Sequence, residues 1–328
     1  MTTAGDNRLR MPHTLRLDPW TPTYESALQL EDDEPDNVDA FVETNDWQVI
    51  RPLASETPES IFFIDGVRRV DTGIVDEAND SLAYGLLGSY AAGVTVHRHG
   101  KAEIHREEVQ RRIVIGADRR HETMLIPAGS LTLNYVGAGV KENTRAKVLA
   151  QLQVLMRKLE GDLARECAGL AALTFVDGPL TYLLPLEEAI LGYVKTHSKN
   201  YLNAEQMRTL SALETGTRTP IFQFGTEGSS RYSWYMRVGP RGRLDYSLAG
   251  VVRIEVSAMI GKDDAMLLAN CSTAILPRFA TTPAWDPRAP QNLYPISALE
   301  SRLHHHLGDR DWIRHSIAEH FHRLAEAA

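Results

Sequence analysis

The chain has 328 residues, which is enough to bury one large hydrophobic core or two smaller ones. Its 43% hydrophobic and 24% charged residues are typical of a globular protein, and no apolar run reaches the ~18 residues that a membrane-spanning helix needs. The only cysteines, Cys167 and Cys271, form no C-x-x-C pair, which argues against a disulfide framework and a zinc knuckle. The polar stretch Met1–Arg16 lacks the apolar segment of a secretory signal. We therefore expect a cytoplasmic protein without a membrane partner.

Charge is unevenly distributed along the chain, whose formal net charge is −8. Residues 18–50 carry ten acidic side chains and no Lys or Arg, whereas the first 17 residues are slightly basic and the rest of the chain is neutral. A neutral body can carry a basic face and a separate acidic site, so the net charge does not exclude a nucleic-acid substrate. We interpret residues 1–57 as an irregular acidic extension and residues 58–328 as the main domain.

The first half of this domain is predicted to be mostly β-structure, because short apolar runs are separated by turn residues. In the extension, the pattern around residues 47–50 predicts a short strand or helix within residues 39–53. The main-domain strands, which we interpret as an antiparallel meander, are predicted at 60–65, 84–96, 112–116, 122–126 and 131–136.

A long amphipathic helix is predicted over residues 143–169. Apolar residues recur on one helical face from Leu149 to Cys167. Asn143 or Thr144 can cap the amino end, and Gly169 is a typical residue at which a helix ends.

Strands and helices alternate after the long helix. The predicted strands lie at 173–177, 193–196, 221–224, 232–238 and 250–257. The predicted helices lie at 187–193, 203–213, near 262–269, and at 296–307 and 309–326. A strand meander followed by this alternation predicts an α/β protein with a ribonuclease H-like mixed sheet flanked by helices, in which the first strand and a later parallel strand lie side by side.

Two of the apolar runs end in Asp-Gly, at Asp65-Gly66 and Asp177-Gly178. An ionised Asp at the end of a buried strand is partly desolvated and needs a partner or a cation. Open α/β sheets place their sites at the carboxyl ends of strands, so two such residues on neighbouring strands predict one divalent metal site. The alternative is that each Asp-Gly pair is an ordinary turn.

A third carboxylate is expected from the long helix, since two carboxylates rarely suffice for a two-metal site. Glu160 and Glu166 both border its apolar face, whereas Asp162 lies further round. We favour Glu160 as the third ligand and keep Glu166 as the alternative. Both residues can also be solvated acids of the kind that flank any amphipathic face. Oxygen ligands of this kind favour Mg²⁺ or Mn²⁺.

The segments around these acids resemble NurA-family nucleases, the partners of HerA-type hexameric ATPases in prokaryotic DNA-end processing. The resemblance covers roughly residues 60–307. It rests on four segments, which are Phe63–Val67, Phe175–Leu180, Gly192–Lys195 and Asp286–Ile296. The chain departs from the family pattern at Val67, where Ser is common, and at Leu299-Glu300, where the family often has a His.

The resemblance implies an Mn²⁺- or Mg²⁺-dependent nuclease that cuts single-stranded DNA and resects ends in the 5′→3′ direction. In such an enzyme Asp65 would bridge two metals, and Glu160 and Asp177 would complete their coordination. Glu300 would stand in for the missing His as a fourth ligand. Lys195 would neutralise the scissile phosphate, unless it is a surface lysine.

The resemblance also implies a homodimer that sits on a HerA-like hexameric ATPase in the cytoplasm of a prokaryote and serves DNA repair or phage defence. The chain has no G-x-x-x-x-G-K-[ST] motif, so the motor is expected in the partner. The acidic extension is a solvated arm, a docking segment for the ATPase or a mimic of DNA charge. We expect Trp234 and Tyr235 in the core, and DNA contacts from Arg68, Arg69, Arg231, Arg237 and Arg288.

Two other functions remain compatible with the sequence. One is a non-catalytic subunit that keeps the fold and binds DNA or an ATPase. The other is a different ribonuclease H-like enzyme, such as a resolvase or an RNA-directed nuclease.

Overall fold

The computed structural model describes residues 15–18, 37–53, 58–78, 81–170, 173–197, 199–242 and 247–326. Within these residues the chain forms a mixed sheet of eleven strands with helices on both faces. The strands are β1 (Leu15–Asp18), β2 (Ser60–Ala78), β3 (Ser81–Arg98), β4 (Lys101–Ile115), β5 (Met124–Ala128), β6 (Leu131–Gly139), β7 (Leu173–Asp177), β8 (Ile190–Val194), β9 (Phe222–Phe224), β10 (Arg231–Arg237) and β11 (Val251–Ser257). The helices are α1 (Arg145–Cys167), α2 (Ala204–Ala212), α3 (Lys262–Ile275), α4 (Tyr294–His306) and α5 (Arg310–Glu326).

The strand order is β5-β6-β4-β3-β2-β7-β8-β11-β10-β9, and β1 pairs with β2 outside this path. β2, β3 and β4 form an antiparallel meander, as predicted. The prediction that the meander continues is wrong, because β6 pairs with β4 in parallel and β5 lies outside β6. On the other side, β7 pairs with β2 and β8 with β7, both in parallel, which confirms the predicted neighbour of the first strand.

The long helix α1 lies close to its predicted bounds, and Thr144 caps it by accepting a hydrogen bond from the Lys147 backbone nitrogen. The predicted helix at 187–193 is wrong, because residues 190–194 form the strand β8. All five of its residues are buried, so this short run has no polar face of the kind that a surface helix presents to water. Among the described residues, no helix is both long and apolar enough to cross a membrane.

Helices pack on the two faces of the sheet and bury two separate cores. On one face, Phe62 and Ile64 of β2 pack with the apolar stripe of α1. On the other face, Ile61 and Phe63 pack with residues of α3 and α4. The alternation of β2 therefore directs successive residues to opposite helical layers. A third core lies where the far halves of β2 and β3 meet β5, β6 and α5.

Described parts of the N-terminal segment contact the main domain. β1 pairs with the far half of β2, from Asp76 to Gly73. Residues 37–53 form neither the strand nor the helix that was predicted there, but isolated bridges to β9 and to Arg218. The Glu43 carboxylate accepts two hydrogen bonds of 2.7 Å from the Arg218 guanidinium, and Arg218 is almost fully buried. The acidic cluster at residues 31–34 lies outside the described residues.

A β-bulge interrupts the pairing of β2 with β3. Val70 pairs with Gly88 and Thr72 pairs with Leu87, so Asp71 is the extra residue. The Asp71 side chain is fully buried and accepts hydrogen bonds from Arg69, Ser89 and Tyr135. The bulge separates the half of β2 that carries Asp65 from the half that belongs to the third core.

Candidate active site

Asp65 and Asp177 lie opposite each other on adjacent parallel strands. The ladder between β2 and β7 pairs Phe63 with Phe175, and two residues further on the same register places Asp65 opposite Asp177. The rings of Phe63 and Phe175 stack on the α4 face, with centroids 5.6 Å apart, so both aspartates point to that face as well. Neighbouring strands are about 4.8 Å apart, which makes the two carboxyl groups neighbours.

The two aspartates have different surroundings. Asp177 forms an ion pair with Lys195, whose Nζ lies 2.8 Å from Asp177 Oδ2. Asp65 is 6% exposed, and one of its oxygens accepts a hydrogen bond from the Gly66 backbone nitrogen. Burial raises the pKa of Asp65 well above its usual range, and the negative charge of Asp177 raises it further. Lys195 offsets this only in part, and Glu160 and Glu300 add to the repulsion.

Glu160 reaches the same region from α1 on the other face of the sheet. It is fully buried, and a Cβ atom on Gly66 would stand only 2.6 Å from its Oε1 atom. The glycine of the first Asp-Gly pair is therefore needed for the close approach of this carboxylate. The alternative, Glu166, is half exposed and forms an ion pair with Arg106. The structure thus brings Glu160, and not Glu166, next to the strand that carries Asp65.

Arg157 is a component of the site that the sequence analysis missed. Its Nη1 atom donates to Glu160 Oε2 at 2.8 Å and also to the Asp177 backbone carbonyl. Burial alone would lower the pKa of Arg157, but the charges of Glu160 and Asp177 raise it, so the guanidinium stays ionised. Its spacing three residues before Glu160 was the available signal, since residues at i and i+3 are neighbours on a helix.

The acidic groups are not fully satisfied by these contacts. Within the part of the chain that the structure describes, Glu160 Oε1 and Asp177 Oδ1 are buried and have no hydrogen-bond partner. Burial also raises the pKa of Glu160, despite Arg157. Such orphaned anionic oxygens are costly, and their oxygen chemistry fits a hard divalent cation. As the side chains stand, however, no three His, Cys, Asp or Glu residues of the described ranges are grouped closely enough to hold a metal ion.

Glu300 lies near Asp65 but is paired with a cation. Its carboxylate accepts a hydrogen bond of 2.7 Å from Arg288, which also contacts Asp286. Burial would raise the pKa of Asp286, but hydrogen bonds from Asn292 and Arg288 hold it at about 2. Arg288 is half exposed beside the site and is ionically paired on two sides.

The other arginines that were predicted to contact DNA are engaged within the protein. Arg237 is 4% exposed and donates to the backbone carbonyls of residues 213, 247 and 249, so the prediction that it contacts DNA is wrong. Arg69 donates to Asp71 and to the carbonyls of residues 307 and 308 at the end of α4. Arg231 is mostly buried against Glu255, and Arg68 donates to Gln153 on α1. Charge alone did not distinguish these arginines from surface residues.

The predicted core aromatic residues are confirmed. Trp234 and Tyr235 are both buried, one in the core shared with α3 and α4 and the other in the cluster beside α2. Neither side chain is available to stack on a base.

The comparison with solved structures identifies the architecture. The NurA nuclease from Sulfolobus solfataricus matches with a TM-score of 0.51 and 11% identity, over 84% of this chain and 88% of that one. The chain has the fold of the NurA nuclease. The fold class predicted from the sequence is therefore confirmed as a mixed α/β sheet flanked by helices. Human ENDOV and the Ciona intestinalis endonuclease V bound to DNA also match, with TM-scores of 0.36 and 0.37 and identities of 14% and 8%. They align over 76% and 79% of this chain and 84% and 91% of their own.

Sequence comparison adds no relative to these structures. No family model matches the chain, and no curated protein matches it. The NurA-like fold thus rests on the three-dimensional arrangement of the chain.

Proposed function

We propose that this chain is a divalent-metal-dependent deoxyribonuclease that cuts single-stranded DNA and resects DNA ends. The observation that carries the proposal is the register of β2 and β7, which sets Asp65 opposite Asp177 on one face of the sheet. Glu160 joins them across Gly66 with an oxygen that has no partner. Asp65 and Glu160 are buried, and the charge of Asp177 repels both, so these acids are expensive for a fold to keep without a function.

The oxygen donors favour Mn²⁺ or Mg²⁺. Asp65, Asp177 and Glu160 would hold the metal, and Glu300 is a candidate fourth ligand if Arg288 releases it. When bound, a divalent ion activates water and stabilises the leaving oxygen of a phosphodiester. The orphaned atoms Glu160 Oε1 and Asp177 Oδ1 support this assignment, because a cation would supply the partner that both lack.

The cations of the chain have separate tasks in this proposal. Arg157 fixes the Glu160 carboxylate through one of its oxygens and leaves the other oxygen free. Lys195 lies against Asp177 and keeps one N–H donor with which to contact a phosphate oxygen of the substrate. Arg288, half exposed beside Glu300, is the remaining candidate for a phosphate contact.

The partner assignments extend the same proposal. We infer a homodimer that acts with a HerA-like hexameric ATPase, because the sequence resembles the family that does so and lacks a phosphate-binding motif of its own. A cytoplasmic prokaryotic role in DNA repair or phage defence follows from the same resemblance. Addition of such an ATPase is expected to stimulate cutting. An unchanged cutting rate, together with separate elution of the two proteins in size-exclusion chromatography, would refute the proposed ATPase partnership.

A second candidate is a non-catalytic subunit with the same fold. It is favoured by one observation, which is that the described acids are not grouped as a ready metal cage. Binding of Mn²⁺ distinguishes the two candidates. A subunit without a metal site would not bind the ion and would not require it for DNA binding.

The test is nicking of circular single-stranded DNA by the full chain in EDTA, Mg²⁺ and Mn²⁺. We expect cutting only with metal, and at least ~10³-fold slower cutting by Asp65→Asn and Asp177→Asn, as for loss of central electrostatic groups. Glu160→Gln is expected to cut slowly as well. Asp162→Asn is the matched control, because Asp162 is an exposed acid on the same helix. Cutting in EDTA, or by the purified aspartate variants, would refute the proposal. Parallel assays with duplex DNA and RNA–DNA hybrids test the other possibility from the sequence, that the chain is a different ribonuclease H-like nuclease.

A further inference from the structure

The Lys195 ammonium is fixed by two acceptors from different parts of the chain. It lies 2.8 Å from Asp177 Oδ2 and donates to Asn292 Oδ1 at 3.0 Å. A lysine side chain is long and flexible, so one acceptor would leave its position poorly defined. Two acceptors in different directions fix the ammonium and still leave an N–H donor for a ligand.

Asn292 is itself held so that its oxygen faces Lys195. The residue is fully buried, and its side-chain nitrogen donates to Asp286 Oδ2 at 2.5 Å. Its backbone carbonyl accepts hydrogen bonds from the Thr281 backbone nitrogen and hydroxyl, at 2.9 and 3.0 Å. Because the nitrogen of the amide is bound to a carboxylate, the oxygen of the same amide points to the ammonium.

Asp286 completes the arrangement. It accepts hydrogen bonds from the Arg288 backbone nitrogen at 2.8 Å and from the Ser297 hydroxyl at 3.3 Å, in addition to that from Asn292. Burial would raise its pKa, but the hydrogen bonds from Asn292 and Arg288 hold it at about 2, so it stays an acceptor for the amide. Nearby, the Tyr193 hydroxyl donates to the Gln291 carbonyl at 2.6 Å and ties the loop to β8.

We propose that Asn292, oriented by Asp286, is a positioning residue that holds the Lys195 ammonium at Asp177. The loop between α3 and α4 thereby takes part in the site through a buried side chain that does not touch the substrate. The role assigned to Lys195 rests on the proposed function, whereas the clamp on its ammonium can be tested without it.

Competitive acetylation followed by mass spectrometry measures the exposure of each lysine amine in the full-length protein. In the unmodified chain we expect Lys195 to react at least ~10-fold more slowly than the exposed Lys158, since it must leave two partners before it reacts. In Asn292→Ala we expect Lys195 to react several-fold faster, with Lys158 unchanged. The matched control is Asn270→Ala, which removes another asparagine that accepts from a cation, Arg218. An unchanged Lys195 rate in Asn292→Ala would overturn the proposal.

A double-mutant cycle tests the same clamp in catalysis. We expect Asn292→Ala to lower kcat about tenfold with little change in KM, and to have less than about a twofold effect in a Lys195→Met background. Equal losses in both backgrounds would mean that Asn292 acts through general stability, which would overturn the proposal. If Asn292→Ala fails to fold, Asp286→Asn takes its place, with the same expected signs. If the unmodified chain does not cut DNA, the proposed function fails, and the acetylation rates still decide the clamp.

Discussion

Two groups of buried acids in or against the same sheet differ in how far their negative charge is compensated. In the group formed by Asp65, Asp177 and Glu160, burial raises the pKa of both Asp65 and Glu160. Among the described residues, Glu160 Oε1 and Asp177 Oδ1 have no hydrogen-bond partner. At Glu255 of β11 the carboxylate is equally buried, yet it accepts hydrogen bonds from the Leu180 backbone nitrogen and from Arg231 and Arg253. Although burial alone would raise it, these partners lower the pKa of Glu255.

These contacts distinguish an acid that stabilises the fold from the acid to which we assign metal binding. Glu255 has donors on both oxygens and joins β10, β11 and the turn after Asp177. Among the described residues, Asp65 accepts a hydrogen bond only from the backbone of its own neighbour, and Lys195 offsets the repelling charges around it only in part. The cost of burying Asp65 is therefore not repaid by its contacts within the protein.

The largest expected effect on stability is at Glu255, whose carboxylate has donors on both oxygens. We expect Glu255→Gln to lower the free energy of unfolding by about 3–5 kcal/mol, because it leaves two buried arginines without their counter-charge. Asp65→Asn should change it by less than about 1 kcal/mol, or increase it, since the amide removes a repelling charge. Urea unfolding followed by circular dichroism measures both. Equal losses would contradict the distinction between the two groups.

A smaller effect is expected where Glu160 passes over Gly66. We expect Gly66→Ala to cost about 1–3 kcal/mol of stability, because the new methyl group overlaps Glu160 Oε1 and displaces the carboxylate. DNA nicking should fall at least about tenfold, as for a misplaced catalytic group. The control is Gly100→Ala, at a positive-φ turn with open space, which costs stability without touching the site. Full nicking by Gly66→Ala would show that Glu160 need not approach the strand.

The pH dependence of stability should have opposite signs at the two groups. Asp65 has a raised pKa, so its charged form destabilises the folded state at neutral pH, and this penalty fades as pH falls through the raised value towards 3.8. Glu255 has a lowered pKa, so its contribution is complete above 4.5 and is lost as pH falls below that value.

Unfolding free energies between pH 7 and pH 3 for the unmodified chain, Asp65→Asn and Glu255→Gln measure these contributions. Each group can contribute a slope of up to about 1.4 kcal/mol per pH unit. On acidification the unmodified chain should gain stability relative to Asp65→Asn and then lose it relative to Glu255→Gln. Two slopes of the same sign would refute the assignment.

The smallest effect is expected at the exposed acid of α1. Glu166 pairs with Arg106 while both side chains are about half exposed, so Glu166→Gln should cost less than about 0.5 kcal/mol. Nicking should stay within about twofold of the unmodified rate, in contrast to Glu160→Gln. A large loss of nicking with Glu166→Gln would reopen the choice of third ligand.

The sequence predicted the parts of this arrangement that depend on strongly patterned segments. The runs before Asp65 and Asp177 are apolar apart from Thr174, so a strand before each aspartate and the parallel pairing of the two strands followed directly. Glu160 was favoured because it borders the apolar face of α1, although its burial and the role of Gly66 depend on how the helix crosses the sheet. Whether each arginine is buried or exposed depends on partners distant in sequence, such as the carbonyls around Arg237, and a local sequence pattern does not predict these partners.

Other features escaped because tertiary context decided them. β2 continues for 13 residues beyond Asp65 through a polar, charged stretch, which the apolar pattern alone placed outside the strand. The segment Ile190–Val194 is too short to distinguish strand from helix, and its burial between two layers made it a strand. The clamp of Asp286 and Asn292 joins residues about 100 positions from Lys195, so its existence depends on the folded loop.

The bulge at Asp71 makes the two ends of β2 independently adjustable. Val70 pairs with Gly88 and Thr72 pairs with Leu87, so a chain without Asp71 would keep both pairings, the faces of all later residues and the orientation of Asp65. Lengthening or shortening the strand beyond this point would rearrange the core against α5 but leave the aspartate facing the same way. A change of length before residue 65 would turn the aspartate itself away from Asp177. A change of strand length on the distal side of the bulge thus leaves Asp65 facing the same way as Asp177.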